Sequence, residues 1–469
     1  MRHIPKILCL VTLTLFLLII LQGATQHFEF EPLKGVYVSE EKPRFAFGDF
    51  VSGEWQGRVD RYIKDHHGFR EPAIRLYNEY LWIAYRLSYN PNSIVVGKDD
   101  YLFEPWFVDE YYTGCFNHFY PDSLRILDNE KGDVFFQRMS RLAKLQYILE
   151  EQGVHLFLAL LPGKERIYPQ YLPAPSPQAR HERMEQGLFS AYDHYSGWNS
   201  FYGFRCVDIC HCFDSLRGHT PYLLFTQTGT HWSNIASTYV FDSIMRYMQT
   251  FGPAIRPVSL GNPYYADTRE PDGDLEGLLN KAIPIPSERN QYVDVSLGDS
   301  IPGGNPSLVV IGDSFFWNII VNYPIQELFS NFRYWYYFST IYYDPDHENV
   351  ADIDLVDELL SADYVMLSYC TVQLYNCGNG FINRALLELC YDPDEIQSVR
   401  DSLAADTTSR LSVDQRIDLH LEQYFPALAE DFPTQRSKKT RDISCTSHTS
   451  NTRQIACLAS HQAFGLEAF

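Results

Sequence analysis

No basic stripe runs along this 469-residue sequence, and Lys+Arg 38 against Asp+Glu 59 leave a formal net charge of −21. A surface that acidic repels a phosphate backbone, so nucleic acid is excluded as the expected partner. Internal repeats are also missing, which argues against a solenoid or propeller. At 45% hydrophobic and 15% aromatic residues the chain has too much core-forming material to be wholly disordered or fibrous. Its Tyr 33 and Phe 31 suit flat sugar faces as well as a core.

A closed metal site is lacking too. Cys206, Cys210, His211 and Cys212 cluster, but Cys-x₃-Cys-His-Cys without a distant matching pair does not make a tetrahedral zinc site. The cluster reads as a strand and its exit loop with partly buried thiols, and no metal or cofactor is expected. Of ten cysteines, Cys9 lies in the N-terminal apolar run. The other nine, an odd number in an exported chain, imply at least one free thiol or an intermolecular bridge.

Arg2, His3 and Lys6 precede an uncharged run from Ile7 to Ala24. As a helix of about 1.5 Å rise per residue, that run approaches the hydrocarbon thickness of a bilayer. The basic flank places the bulk of the chain outside the cytoplasm. Gly23 and Ala24 are small enough for a cleaved signal peptide, although no clean small-x-small site follows; a signal anchor and a signal peptide both remain open.

Further along, Asp49 to Tyr89 carries helical periodicity broken at Asp65-His66-His67-Gly68-Phe69-Arg70, which reads as a helix–turn–helix junction. Ile94 to Phe103 looks like two short strands around Lys98-Asp99-Asp100. A helix is expected from Val134 to Gln152, stopped by Gly153. The near-continuous apolar run Val154–Leu161 then fits a strand buried on both faces. Similar runs at Phe204–Ile209, Leu308–Ile311, Phe332–Phe338 and Tyr364–Leu367 alternate with helical patterns, which predicts a doubly wound parallel α/β sheet. The expected organisation is an anchor or signal peptide over 1–26, a membrane-proximal helical segment over 27–92 and a catalytic domain over 93–395. A helical appendage over 396–430 and a disordered tail over 431–469 complete it.

Three stretches can carry chemistry. An apolar strand runs into Gly312-Asp313-Ser314, which puts the Ser314 hydroxyl at the carboxyl end of the sheet, where open α/β folds place ligands. The bland alternative is an N-cap by Asp313 or Ser314. His231, in Thr228-Gly229-Thr230-His231-Trp232-Ser233, sits on a loop just before a helix capped by Ser233; it could act as a general base or be a structural histidine. Lys164, in Pro162-Gly163-Lys164, could contact substrate or close its loop with a carboxylate.

In this order the motifs resemble the alginate O-acetyltransferase family, whose catalytic domain is SGNH-hydrolase-like. The resemblance spans roughly Phe50 to Leu389 and includes the Asp65–Arg70 segment, the Val96–Phe103 turn, Pro162-Gly163-Lys164 with Tyr168-Pro169, Thr-x-Thr-His-Trp at 228–232 and Gly-Asp-Ser at 312–314. It implies an acyl transferase with Ser314 as nucleophile and His231 as general base; around them Lys164 and Trp232 are expected at the substrate, and Asp313 and Thr230 as oxyanion or supporting residues. It also implies a polysaccharide acceptor, a membrane-bound O-acyltransferase as acetyl supplier and a periplasmic location, anchored to the inner membrane. One departure stands out: the family has an aspartate two residues before the histidine, where this chain has Gly229. Asp208, Asp214 or Asp274, or a backbone carbonyl, could orient His231 in its place; otherwise catalysis has decayed. A carbohydrate acetyl esterase and a non-catalytic polysaccharide-binding or assembly protein are the alternatives.

Overall fold

The computed structural model describes residues 4–35, 39–114, 134–173, 178–187, 189–287, 289–391 and 393–405. The expected tail and most of the expected appendage lie outside them. The described chain forms two compact units: Met1–Pro105 with Gln227–Gly229 and Gly273–Glu288, and the remainder.

The larger unit is built on a six-stranded sheet. Its strands are β3 (His155–Leu161), β4 (Cys206–Asp208), β9 (Leu308–Gly312), β10 (Phe332–Tyr336), β11 (Thr340–Tyr342) and β12 (Tyr364–Cys370), in the order β11-β10-β9-β12-β3-β4; β5 (Val258–Leu260) with β8 (Val295–Leu297), and β6 (Tyr264–Ala266) with β7 (Asn290–Tyr292), form two separate antiparallel pairs. Neighbours from β10 to β4 pair in parallel, and β11 closes one edge antiparallel to β10. The apolar runs are near-continuous because both faces are covered. Leu156, Leu158, Leu160, Val309, Ile311, Val365 and Leu367 enter one core cluster, while Phe157, Ala159, Leu161, Leu308, Val310 and Met366 enter another. The alternation is the strand's two-residue period made visible. Met139, Leu142, Leu145 and Leu149, on the helix Val134–Glu150, join the first cluster. Phe241, Ile244 and Met248, on the helix Asn234–Met248, join the second. The result is the expected doubly wound sheet, with one antiparallel edge strand added.

The smaller unit contains helices α1 (Ile4–Thr25), α2 (Phe47–Ser52), α3 (Glu54–His66) and α4 (Arg70–Tyr85), and the hairpin β1 (Val95–Val96)–β2 (Leu102–Phe103). Its core joins Trp82, Ile94 and Leu102 to Leu275, Leu279 and Ile285. The expected boundary at residue 93 therefore falls inside this unit, because the hairpin's apolar residues are satisfied by a segment far downstream. At the other end, the helix Pro393–Ala405 lays Ile396 and Leu403 against the first core cluster. That stretch is packed onto the sheet domain instead of forming a separate appendage.

Candidate active site

Parallel strands β9, β12 and β3 end side by side, with Gly312 opposite Ser368 and Cys370 opposite Leu161. The segments Asp313-Ser314, Thr371 and Gly163-Lys164 thus leave the same edge of the sheet. Gly312 permits the tight spacing: a Cβ there would meet the Ser368 carbonyl oxygen at 2.7 Å. Asp313, fully buried, caps the turn that follows. Its Oδ1 accepts from Phe315 N at 3.0 Å and its Oδ2 from Cys370 N at 2.7 Å, so one carboxylate ties the end of β9 to the end of β12. Burial raises its pKa above the usual carboxylate value, against the pull of the Cys370 and Phe315 hydrogen bonds and of the nearby His231.

His231 arrives from a different part of the chain. An antiparallel bridge between Phe225 and Trp232 closes its loop, and Ser233 caps the next helix by accepting from Ala236 N. Two side-chain bonds then fasten this loop and helix to the short helix Trp317–Asn322 that follows Ser314. Asn318 Nδ2 donates to the Trp232 carbonyl at 2.7 Å, and Asn234 Nδ2 to Asn322 Oδ1 at 2.5 Å. The imidazole leans on Phe315, with ring centroids 4.7 Å apart. Held this way, His231 Nε2 lies 3.1 Å from Ser314 Oγ. That is hydrogen-bond reach for proton transfer between a hydroxyl and an imidazole.

The other residues singled out from sequence fare differently. Trp232 is fully buried, edge-on to Phe315 with centroids 5.2 Å apart, and offers no face to a substrate; it is a core residue supporting the histidine loop. Lys164 is 3% exposed at the start of the Lys164–Ile167 turn, which leaves almost no surface for a sugar. Thr230 is buried beside His231. Of the N–H groups at the turn after β9, those of Phe315 and Phe316 already donate to the Asp313 carboxylate and carbonyl. They are spent on the cap, and Asp313 supports the turn as that cap. Among the carboxylates considered for His231, Asp208 caps the Ile209–Leu216 helix and accepts from Tyr192 Oη. Asp214 pairs with Arg166, and Asp274 Oδ1 accepts from Leu275 N. Cys210 and Cys212 are buried, with Cys210 Sγ against the Leu160 carbonyl and Cys212 Sγ against Ser243 Oγ, both at 3.7 Å.

Sequence reading missed Asn318 and Asn234, since an asparagine at the start of a helix carries no signature of the partner it will meet. A buried acid pair escaped it as well. Glu110 and Glu165 line a small cavity with Arg180, Arg183, Ser190 and Thr371. Burial pushes both carboxyls up, Glu110 to about 7, and the repulsion from Glu110 adds to the rise at Glu165. A carboxyl protonated in the native state and ionised when unfolded makes stability fall as pH rises from the unfolded value through the folded one. Stability should therefore decline between about pH 4.5 and about pH 7. Glu110→Gln should remove Glu110's share of that decline and leave the share of the buried Glu165, each unit of displacement being worth about 1.4 kcal/mol; urea midpoints of both proteins at the two ends of the window check it.

A parallel sheet with a serine just past a central strand and a histidine brought to it from a separate loop is an SGNH-hydrolase-like arrangement. The resemblance to the alginate O-acetyltransferase family is borne out: residues 94–297 match the family model described as SGNH hydrolase-like domain, acetyltransferase AlgX. That range is narrower than the span carried by the motifs, and it holds Lys164, Gly229 and His231 but ends before Ser314. The chain is 26% identical over 268 residues to the probable alginate O-acetylase AlgJ of Pseudomonas aeruginosa, covering 54% of this chain and 59% of that protein; it thus spans less than two thirds of the curated relative. Among solved structures, the O-acetyltransferase domain of Pseudomonas putida AlgJ aligns at 16% identity and a TM-score of 0.40, over 60% of this chain and 92% of that one. Pseudomonas aeruginosa AlgX aligns at 12% and 0.37, over 61% and 67%.

Proposed function

We propose that this protein is an O-acetyltransferase that passes an acetyl group to a polysaccharide hydroxyl through Ser314. The observation that carries the reading is the 3.1 Å approach of His231 Nε2 to Ser314 Oγ at the carboxyl edge of the sheet. A serine hydroxyl is a weak nucleophile until a positioned base takes its proton. His231 removes it as Oγ attacks the acetyl carbonyl of a donor ester, and the donor's alkoxide leaves with the proton returned from the imidazolium. The acetyl group is then an ester on Ser314. A sugar hydroxyl deprotonated by His231 attacks it, giving sugar ester and regenerating the serine. With the Phe315 and Phe316 N–H groups occupied, the Ser314 N–H is the oxyanion donor this turn can supply. The family's carboxylate is replaced by Gly229; packing against Phe315 and the Asn318 tie contribute to holding the imidazole in place.

The acceptor is an exopolysaccharide or cell-surface polysaccharide and the donor an acetyl ester handed on by a membrane-bound acyltransferase, both by likeness to the family. The apolar α1 is long enough to cross a membrane, which fits an anchored, extracytoplasmic protein.

The test is incubation of the full chain with a chromogenic acetyl ester, with and without uronic-acid and neutral oligosaccharides, read by mass spectrometry. The expected result is one acetyl group on the Ser314 peptide that moves to an oligosaccharide when acceptor is added. Release to water unaffected by any acceptor would assign an esterase. No adduct and no turnover would overturn the enzymatic reading.

A further inference from the structure

In the smaller unit, the end of α1 is clamped to the α3–α4 turn by backbone contact. A Cβ at Gly68 would sit 2.6 Å from both Gln22 Cβ and Gly23 N, and closer still to the Ile19 carbonyl oxygen. Gln22 adds a two-way bond to Phe28: its Nε2 donates to the Phe28 carbonyl at 2.7 Å and its Oε1 accepts from Phe28 N at 3.1 Å. Phe28 and Phe30 then pack on Phe69, with centroids 6.2 and 5.7 Å away. Gly23 and Gly68 are thus the close-approach residues that let two helical segments touch through main chain.

Helix α4 leaves that junction with two unlike faces. One is buried: Asn78 Nδ2 donates to the Leu279 carbonyl at 2.8 Å, and Lys281 Nζ lies 4.3 Å from the centre of the Trp82 ring. On the opposite side Leu76, Tyr80 and Ile83 are 65%, 55% and 68% exposed, and Leu87 just past the helix is 56% exposed. Spacings of four and three residues place Leu76, Tyr80 and Ile83 in one stripe, and Leu87 follows beyond the left-handed Arg86 that ends the helix. Such a stripe on a soluble surface marks an interaction site.

We propose that this stripe lies on the outer surface of the membrane that α1 spans, so that α4 is an interfacial helix. The inference rests on α1 being retained as an anchor. Continuity identifies the occupant: α4 starts two residues after Gly68, which touches the last turns of the spanning helix, so its first turn is at the lipid–water boundary. Tyrosine among aliphatic side chains suits that boundary. Charge agrees. Across residues 54–86, Arg58, Arg61, Lys64, Arg70, Arg75 and Arg86 outnumber Glu54, Asp60, Asp65, Glu71 and Glu79, in a chain whose net charge is −21. A stretch so near neutrality is repelled by an anionic lipid surface far less than the chain's net charge would imply.

The test uses the full chain in vesicles of phosphatidylethanolamine and phosphatidylglycerol doped with a phospholipid bearing a diazirine near the headgroup end of its acyl chain. After illumination, adducts are mapped by mass spectrometry. Adducts on the 76–87 stretch as well as on α1 are expected. Leu76→Asp with Ile83→Asp should cut the α4 adducts at least tenfold while leaving those on α1, with unchanged circular dichroism. Adducts on α1 alone would overturn the proposal while sparing the anchor, and crosslinks from this face to a second copy in place of lipid would also overturn it. Adducts on neither segment would remove both.

Discussion

His231→Ala is expected to lower acetyl transfer by about 10³- to 10⁴-fold, and Ser314→Ala to abolish the acyl adduct, with little change in fold for either. In the proposed mechanism the two side chains, 3.1 Å apart, form one relay, so their losses should not add. Ser314→Ala/His231→Ala is expected to be no slower than the worse single variant, because a base without its nucleophile has nothing to deprotonate. The readout is the pre-steady-state burst of the chromogenic leaving group together with the acetylated Ser314 peptide. A His231→Ala protein that transfers acetyl at the parental rate would mean the contact is an ordinary buried hydrogen bond and another group activates the serine. Stability separates the two cases: the imidazole packs on Phe315, so both variants need urea midpoints close to the parent before a lost rate is assigned to chemistry.

Much of the sheet was legible because burial on both faces leaves a chemical trace. Val154–Leu161 is apolar but for His155 and Leu308–Ile311 is apolar throughout, and β3 and β9 lie within or along them. β11 left no such trace: Thr340–Tyr342 is a three-residue edge strand with only Ile341 buried. The two-unit division was illegible for another reason. Leu275, Leu279 and Ile285 look like any apolar residues between strands, and only folding shows that they complete the core under Trp82 and Leu102. At the site, sequence order drew attention to Ser314 and His231, but residue type alone misplaced Trp232, whose ring could as well face a sugar as a core. Asn318 and Glu110 were invisible because their significance lies in what surrounds them. One is set by the carbonyl at its amide and the other by a second carboxyl in the same cavity.

Asp313 shows how a structural reading and a functional one can fall on the same residue. Its carboxylate accepts two N–H groups, from Phe315 and Cys370, in a site with no exposure. Asp313→Ala leaves both donors buried and unpaired, at about 1–3 kcal/mol each, so a loss of about 3–5 kcal/mol in unfolding free energy is expected. Asp313→Asn keeps one carbonyl acceptor but turns an amide N–H₂ toward the other donor, so roughly half of that loss should return. Urea unfolding of the three proteins measures this order. The functional consequence follows from position: Ser314 is the next residue, and the Tyr334 hydroxyl donates to the Asp313 carbonyl, so the turn carrying the proposed nucleophile is held on both sides. Asp313→Asn, the milder variant, is expected to remain folded and yet acylate Ser314 more slowly, since the serine's distance to His231 is no longer fixed. If Asp313→Asn matched the parent in rate while showing the stability loss, the cap would serve the fold alone, and Ser314 would owe its placement to the Asn318 and Asn234 bonds across the paired helices.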